Sequence, residues 1–80
     1  MNYPNATESA KVAAEVRAEM ARSRVTGTTL AQGAGMSSAT LSRRLSGATP
    51  FNLNELAAVA HRLGLTVTEL LARAEGGAAA

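Results

Sequence analysis

The sequence has no cysteine, no tryptophan and a single histidine in 80 residues. Without cysteine it forms neither a disulfide nor a thiolate metal site. One histidine, His61, excludes a histidine-rich metal centre. Aromatic side chains are down to one Tyr and one Phe, so the core has to be aliphatic, which suits short packed helices. No apolar run approaches the length that crosses a bilayer. The polar start "MNYPNATESAK" does not read as a secretory leader, so the expected location is the cytoplasm or nucleoid of a bacterial host. Acidic residues are missing from the middle of the chain. None lies between Glu19 and Glu55, a window that holds Arg22, Arg24, Arg43 and Arg44. The net charge is only +2, yet this stretch is purely cationic. It is either a solvated surface or a face for an anionic partner, nucleic acid first.

What is present is helical punctuation. At this length the chain makes one domain with one small core. Asn5 with Glu8 has the spacing of a capping box, so the first helix is expected to start near Asn5 or Thr7. Val12, Val16 and Met20 recur every four residues and form its apolar stripe, with Lys11, Glu15, Arg17 and Glu19 on other faces, until it ends near Arg24. Gly27 and its β-branched neighbours break the pattern. Thr26 or Thr28 can cap a second helix that buries Leu30, Ala31 and Ala34 and contains one weak spot, Gly33. Gly35 is expected as a left-handed C-cap and Ser37 as the next N-cap.

The third helix, from about Ser38 to Ser46, holds "TLSRRLSG", two arginines between two leucines. At about 100° per residue, Arg43 lies almost opposite the Leu41/Leu45 stripe and Arg44 falls to one side, near Thr40. Pro50 extends the following loop. Asn52 with Glu55 and Thr66 with Glu69 repeat the capping-box spacing and open two more helices. These bury Leu56, Val59, Ala60 and Leu63, then Val67, Leu70 and Leu71. The fold class is all-α, five helices. Residues 1–6 are expected as an N-terminal arm, 7–73 as the domain and 74–80 as a flexible tail.

Two helices joined by a tight turn, the second with an outer face of Ser38, Ala39, Thr40, Ser42 and Arg43, suit a duplex groove. Small residues permit close approach, Ser and Thr bond bases or phosphates, and Arg binds guanine bidentately. A helix N-terminus also presents free N–H groups to phosphate.

"LAQGAGMSSATLSRRLSG" followed by "PFNLNELAAVAHRLGLTVTELL" resembles the lambda-repressor/Cro-like helix-turn-helix proteins, the XRE family. Leu30-Ala31, Gly35-Met36-Ser37, Leu41-Ser42-Arg43 and Gly47 fall in the family's register, and "LGLTVTELL" matches its closing helix pair. The resemblance spans roughly residues 10–72. It implies a five-helix domain with the third helix in the major groove of double-stranded DNA. By correspondence Ser38, Ala39 and Arg43 face base edges. Ser37, Ser42 and Ser46 lie near the groove rims. Thr26 to Thr28 with Gln32 face a phosphate strand, and Thr40 and Arg44 flank the reading face. Two positions depart from the pattern. Gly27 stands where Gln or Asn is common, and Leu45 stands where an acid is frequent, so the buried ion pair of some relatives is expected to be missing.

Other readings of the same residues are weaker. Gly33-Ala34-Gly35 follows no strand and precedes no Lys, so it is not a phosphate loop. Ser37 and Ser38 have no base in a recognisable motif, and His61 sits on the outer side of its helix. The expected function is therefore a sequence-specific transcriptional regulator of phage Cro or immunity-repressor type. It is not expected to be an enzyme, and no cofactor, metal, small-molecule ligand or membrane partner is implied. Its partners are a DNA operator and a second copy of the chain on that DNA. The alternative is a protein-interaction module such as an antitoxin, which an exposed apolar surface on the fifth helix would favour.

Overall fold

The computed structural model of the chain describes residues 4–76, with side chains from residue 8. Five helices account for most of this span: α1 (Pro4–Ser23), α2 (Gly27–Ala34), α3 (Ser38–Leu45), α4 (Leu53–Arg62) and α5 (Val67–Ala74). No strand occurs among the described residues. The helix α1 starts at Pro4, ahead of the Asn5 or Thr7 start that the capping pattern suggests. Proline fits a first helical position, where its missing N–H has no partner to lose. Residues 4–6 are thus helical, continuous with α1. The side chain of Asn5, one half of the Asn5–Glu8 box, and tail residues 77–80 lie outside the described span.

Local chemistry sets the other boundaries. Thr26, Ser37, Asn52 and Thr66 are the N-caps of α2 to α5, each accepting from the backbone N–H three residues on. Two of the three expected capping boxes, at Asn52/Glu55 and Thr66/Glu69, form in full. Gly35 ends α2 at φ 70°, and the N–H of Met36 reaches back to the Ala31 carbonyl at 2.9 Å. The end of α1 is less ordinary. Arg24, not a glycine, takes the left-handed conformation there, at φ 56°, while Val25 N–H closes on Met20 O at 2.9 Å.

The helices enclose a single aliphatic core of Val16, Leu30, Ala31, Leu41, Leu56, Val59, Ala60, Leu63 and Leu70. Met20, Leu45, Phe51 and Val67 pack on its margin. The α2 helix lies against α4 and α3, α1 against α5 and α3, and α4 against α5. Thus α3 rests on α1 and α2 with its opposite side open.

Two side chains depart from the sequence reading. Glu19, assigned to an outer face of α1, is 5 % exposed and sits among the core helices. Its carboxylate accepts from Arg22 at 2.6 Å and from Arg73 of α5 at 2.6 Å, which ties α1 to α5. Hydrogen bonding from Arg22, helped by Arg73, outweighs desolvation and lowers the Glu19 pKa to about 2. Leu71, expected inside, is 38 % exposed. The helix α5 has room for one deeply buried leucine, and Leu70 takes that place.

Candidate nucleic-acid interface

The Ser37 hydroxyl anchors the start of α3. It accepts from Thr40 N–H at 3.0 Å and donates to Thr40 Oγ1 at 2.9 Å. Leu41 is 2 % exposed and fixes the inner face, with Leu45 on the margin of the core. That leaves Ser38, Ala39, Ser42 and Arg43 exposed along the outer face. Ser38, Ala39 and Ser42 make no side-chain hydrogen bond among the described residues, so both hydroxyls are free to meet a ligand. The Arg43 guanidinium makes only a long contact to Thr40 Oγ1, at 3.5 Å.

Beside α3, the N-terminus of α2 completes a shallow cleft lined by Gly27, Thr28, Ser38, Leu41, Ser42 and Leu45. Thr28 of α2 thus faces Ser38 and Ser42 across one depression, an arrangement the sequence pattern only implied. Gln32 is exposed on the same helix. Thr26 is engaged as the α2 cap, accepting from Thr29 N–H at 3.1 Å and donating to Thr29 Oγ1 at 3.0 Å. Ser46 is likewise turned to local bonds. It donates to the Arg43 carbonyl at 2.9 Å and accepts from Ala48 N–H at 3.2 Å.

On the other side of α3, the turn and the start of α4 close a second depression of Ala34, Gly35, Met36, Ser37, Thr40, Asn54 and Glu55. Asn54 is exposed there, a flank residue that no sequence motif singled out. The Asn52/Glu55 box marks where α4 begins but not what it lies beside.

Arg44, expected at the flank of the reading face, pairs with Glu55, Nε to Oε1 at 2.9 Å and Nη2 to Oε2 at 3.1 Å. Both side chains are largely covered, 17 % and 18 % exposed. The guanidinium hydrogen bond holds the Glu55 carboxyl below its ordinary value, and the Arg44 pKa rises in turn. The physical reason is distance along the chain: the acid that neutralises the cationic window lies just past its end and folds back onto it. Arg22 is removed in the same way by Glu15 and Glu19. Of the four arginines in the window, Arg24 and Arg43 remain without a carboxylate partner among the described residues. Arg17 of α1 donates to the Leu45 carbonyl and so caps the end of α3.

No group of three or more His, Cys, Asp or Glu among the described residues could hold a metal ion. His61 is exposed on α4. No described helix is long and apolar enough to cross a membrane.

No curated protein matches the chain. Among solved structures it is similar to the clp gene regulator ClgR from Corynebacterium glutamicum, with 30 % sequence identity and a TM-score of 0.82. The match covers 90 % of this chain and 77 % of that one. Residues 15–75 match the family of Cro/C1-type HTH DNA-binding domains, a stretch that runs from the second half of α1 through α5. The helix–turn–helix of α2 and α3, its exposed α3 face and this match agree: the chain belongs to the Cro/C1-type helix-turn-helix DNA-binding family.

Proposed function

We propose that this chain is a sequence-specific regulator of transcription, of phage Cro or immunity-repressor type, that inserts α3 into the major groove of an operator. One observation carries the reading. The outer face of α3 combines small and hydroxyl side chains, Ser38, Ala39 and Ser42, with an arginine that has no carboxylate partner, Arg43. A B-DNA major groove admits a helix, and such a face lets it approach base edges closely. Thr28 and Gln32 on α2 and the N-terminal amides of α2 are assigned to phosphates, with Arg24 beside them. Ser37, Thr40 and Ser46 hold the rims. Thr26 acts through the α2 cap. Regulation follows from occupancy: the bound domain occludes or recruits at the operator, with no chemical step, in the bacterial cytoplasm.

A second copy binds the neighbouring half-site, about one helical turn away. The large apolar side chains are mostly in the core, so pairing is assigned to the DNA-bound state. A second reading, a protein-interaction module such as an antitoxin, is favoured by two exposed leucines, Leu53 at 70 % and Leu71 at 38 %. Isolated apolar side chains are common on monomers, and two do not make a patch.

Selection of bound sequences from a random duplex pool tests the proposal, with sedimentation of the protein alone and of the complex. A defined motif, with two copies per duplex, supports it. A pool that stays random after repeated selection contradicts it.

A further inference from the structure

We propose that Arg44 and Glu55 form a positioning latch that sets the orientation of α3, and that Arg44 itself does not bind phosphate. The inference deepens the reading of α3 as the helix that enters the groove and rests on it.

The Glu55 carboxylate joins three parts of the chain. Its Oε1 accepts from Arg44 Nε at 2.9 Å and from the Asn52 backbone N–H at 3.0 Å, while Oε2 takes Arg44 Nη2 at 3.1 Å. The Asn52 side chain returns the bond, accepting from Glu55 N–H at 2.8 Å. One acid therefore links the second half of α3, the exit of the connecting loop and the first turn of α4. The linkage matters because the main packing of α3 is on α1 and α2, whereas α4 packs mainly on α2 and α5. Leu41 fixes the depth of α3, and Arg17 holds its end through the Leu45 carbonyl. Both set the broad facing of α3 from the α1 and α2 side, and neither ties it to α4. A bidentate guanidinium–carboxylate pair does, since its two parallel bonds define a plane as well as a distance. Arg44 adjoins Arg43 in the chain, so a rotation that loosens Arg44 swings Arg43 away from its base.

Charge supports the same assignment. Glu55 offsets the cation, so the pair brings no net positive charge to the DNA. The limited exposure of both groups leaves little surface for a phosphate.

The two roles differ in what Glu55 should do. If Arg44 were a phosphate ligand, Glu55→Gln would release it and remove a nearby negative charge, and binding would tighten. As a latch, Glu55→Gln keeps the shape and the acceptor for Asn52 N–H but loses the ion pair. The test measures the full chain and its Glu55→Gln, Arg44→Lys, Arg44→Ala and Arg44→Ala/Glu55→Gln variants. Binding is read on a selected duplex and a scrambled duplex across a salt series, with circular dichroism to verify the helices. Expected is a loss of about tenfold on the selected duplex for Glu55→Gln, in the middle of the range for coupled side chains. Scrambled binding and the salt slope stay unchanged. Arg44→Lys fails to rescue, and the double variant is no worse than Arg44→Ala.

Three outcomes overturn the latch: tighter or unchanged specific binding by Glu55→Gln, full rescue by Lys, or a salt slope lowered by about one on both duplexes for Arg44→Ala. A wild-type chain that binds no duplex overturns the DNA reading itself, and the latch with it.

Discussion

Two glycines two residues apart, Gly33 and Gly35, should respond to alanine in opposite ways. Gly33 lies inside α2, where alanine is favoured over glycine by up to about 1 kcal/mol. A Cβ built there would come within 2.7 Å of Arg62 Cδ, 2.9 Å of its Nε and 3.0 Å of its Cγ. All three atoms belong to one flexible and exposed side chain, which has no hydrogen-bond or carboxylate partner among the described residues. Arg62 can swing aside at a cost of about 0.5 kcal/mol or somewhat more if it leaves a favoured rotamer. Gly33→Ala is therefore expected between neutral and about 0.5 kcal/mol stabilising. Gly35 has open space around it but sits at φ 70°. A side chain there is strained by about 1–2 kcal/mol, so Gly35→Ala is expected to destabilise by that amount. Urea unfolding followed by circular dichroism measures both. A loss above about 1 kcal/mol for Gly33→Ala would show that Arg62 is held in place, and the reasoning would fail. No loss for Gly35→Ala would mean that the turn is not left-handed.

Three further outcomes follow from the same contacts. Leu41→Ala removes a side chain that is 2 % exposed and should cost about 2–3 kcal/mol, the lower part of the usual range, because the cleft beside it lets the site relax; urea unfolding checks it, and a cost below 1 kcal/mol contradicts the assigned core. Glu19 has a folded-state pKa of about 2 against an ordinary 4.5, so its contribution to stability is present above about 4.5 and is lost as pH falls towards 2. Glu19→Gln should flatten that part of the pH–stability profile, and an unchanged profile would remove Glu19 as the acid-sensitive group. Finally, Arg24 and Arg43 are the two arginines of the cationic window without a carboxylate partner among the described residues, so DNA affinity should fall with salt at a log–log slope near about −2. A slope twice as steep contradicts the pairing of Arg22 and Arg44, and a flat response contradicts electrostatic binding altogether.

The parts of the fold that were legible in the sequence depend on neighbours three or four residues apart. Asn52 and Glu55 are such a pair, as are Thr66 and Glu69. Gly35 and Ser37 mark the turn by their own backbone preferences, and the Leu41 stripe fixes which way Arg43 points. The angular placement of Arg44, to one side near Thr40, also followed from helical geometry. What Arg44 meets did not, because its partner stands 11 residues on, and only the path of the loop brings Glu55 back. Glu19 was opaque for the same reason on a larger scale. On α1 alone it reads as a solvated acid, and its burial depends on Arg73, 54 residues away. The apolar pattern of α5 could not rank Leu70 against Leu71, since both are adjacent to the stripe and only packing against α1 decides. The reading face itself was recognisable as a set of residue types. The meeting of Thr28 with Ser38 and Ser42 in one cleft required the structure.

The central claim is that the outer face of α3 reads bases through Arg43. The most direct measurement is the affinity of Arg43→Ala, beside the wild type, for the selected duplex and for a scrambled duplex at two salt concentrations. Expected is a loss of about 1–3 kcal/mol on the selected duplex, with relaxed choice at one position, a guanine, and little change on the scrambled duplex. Equal proportional losses on both duplexes would contradict it, because they would make Arg43 a phosphate contact and leave α3 without its principal base reader.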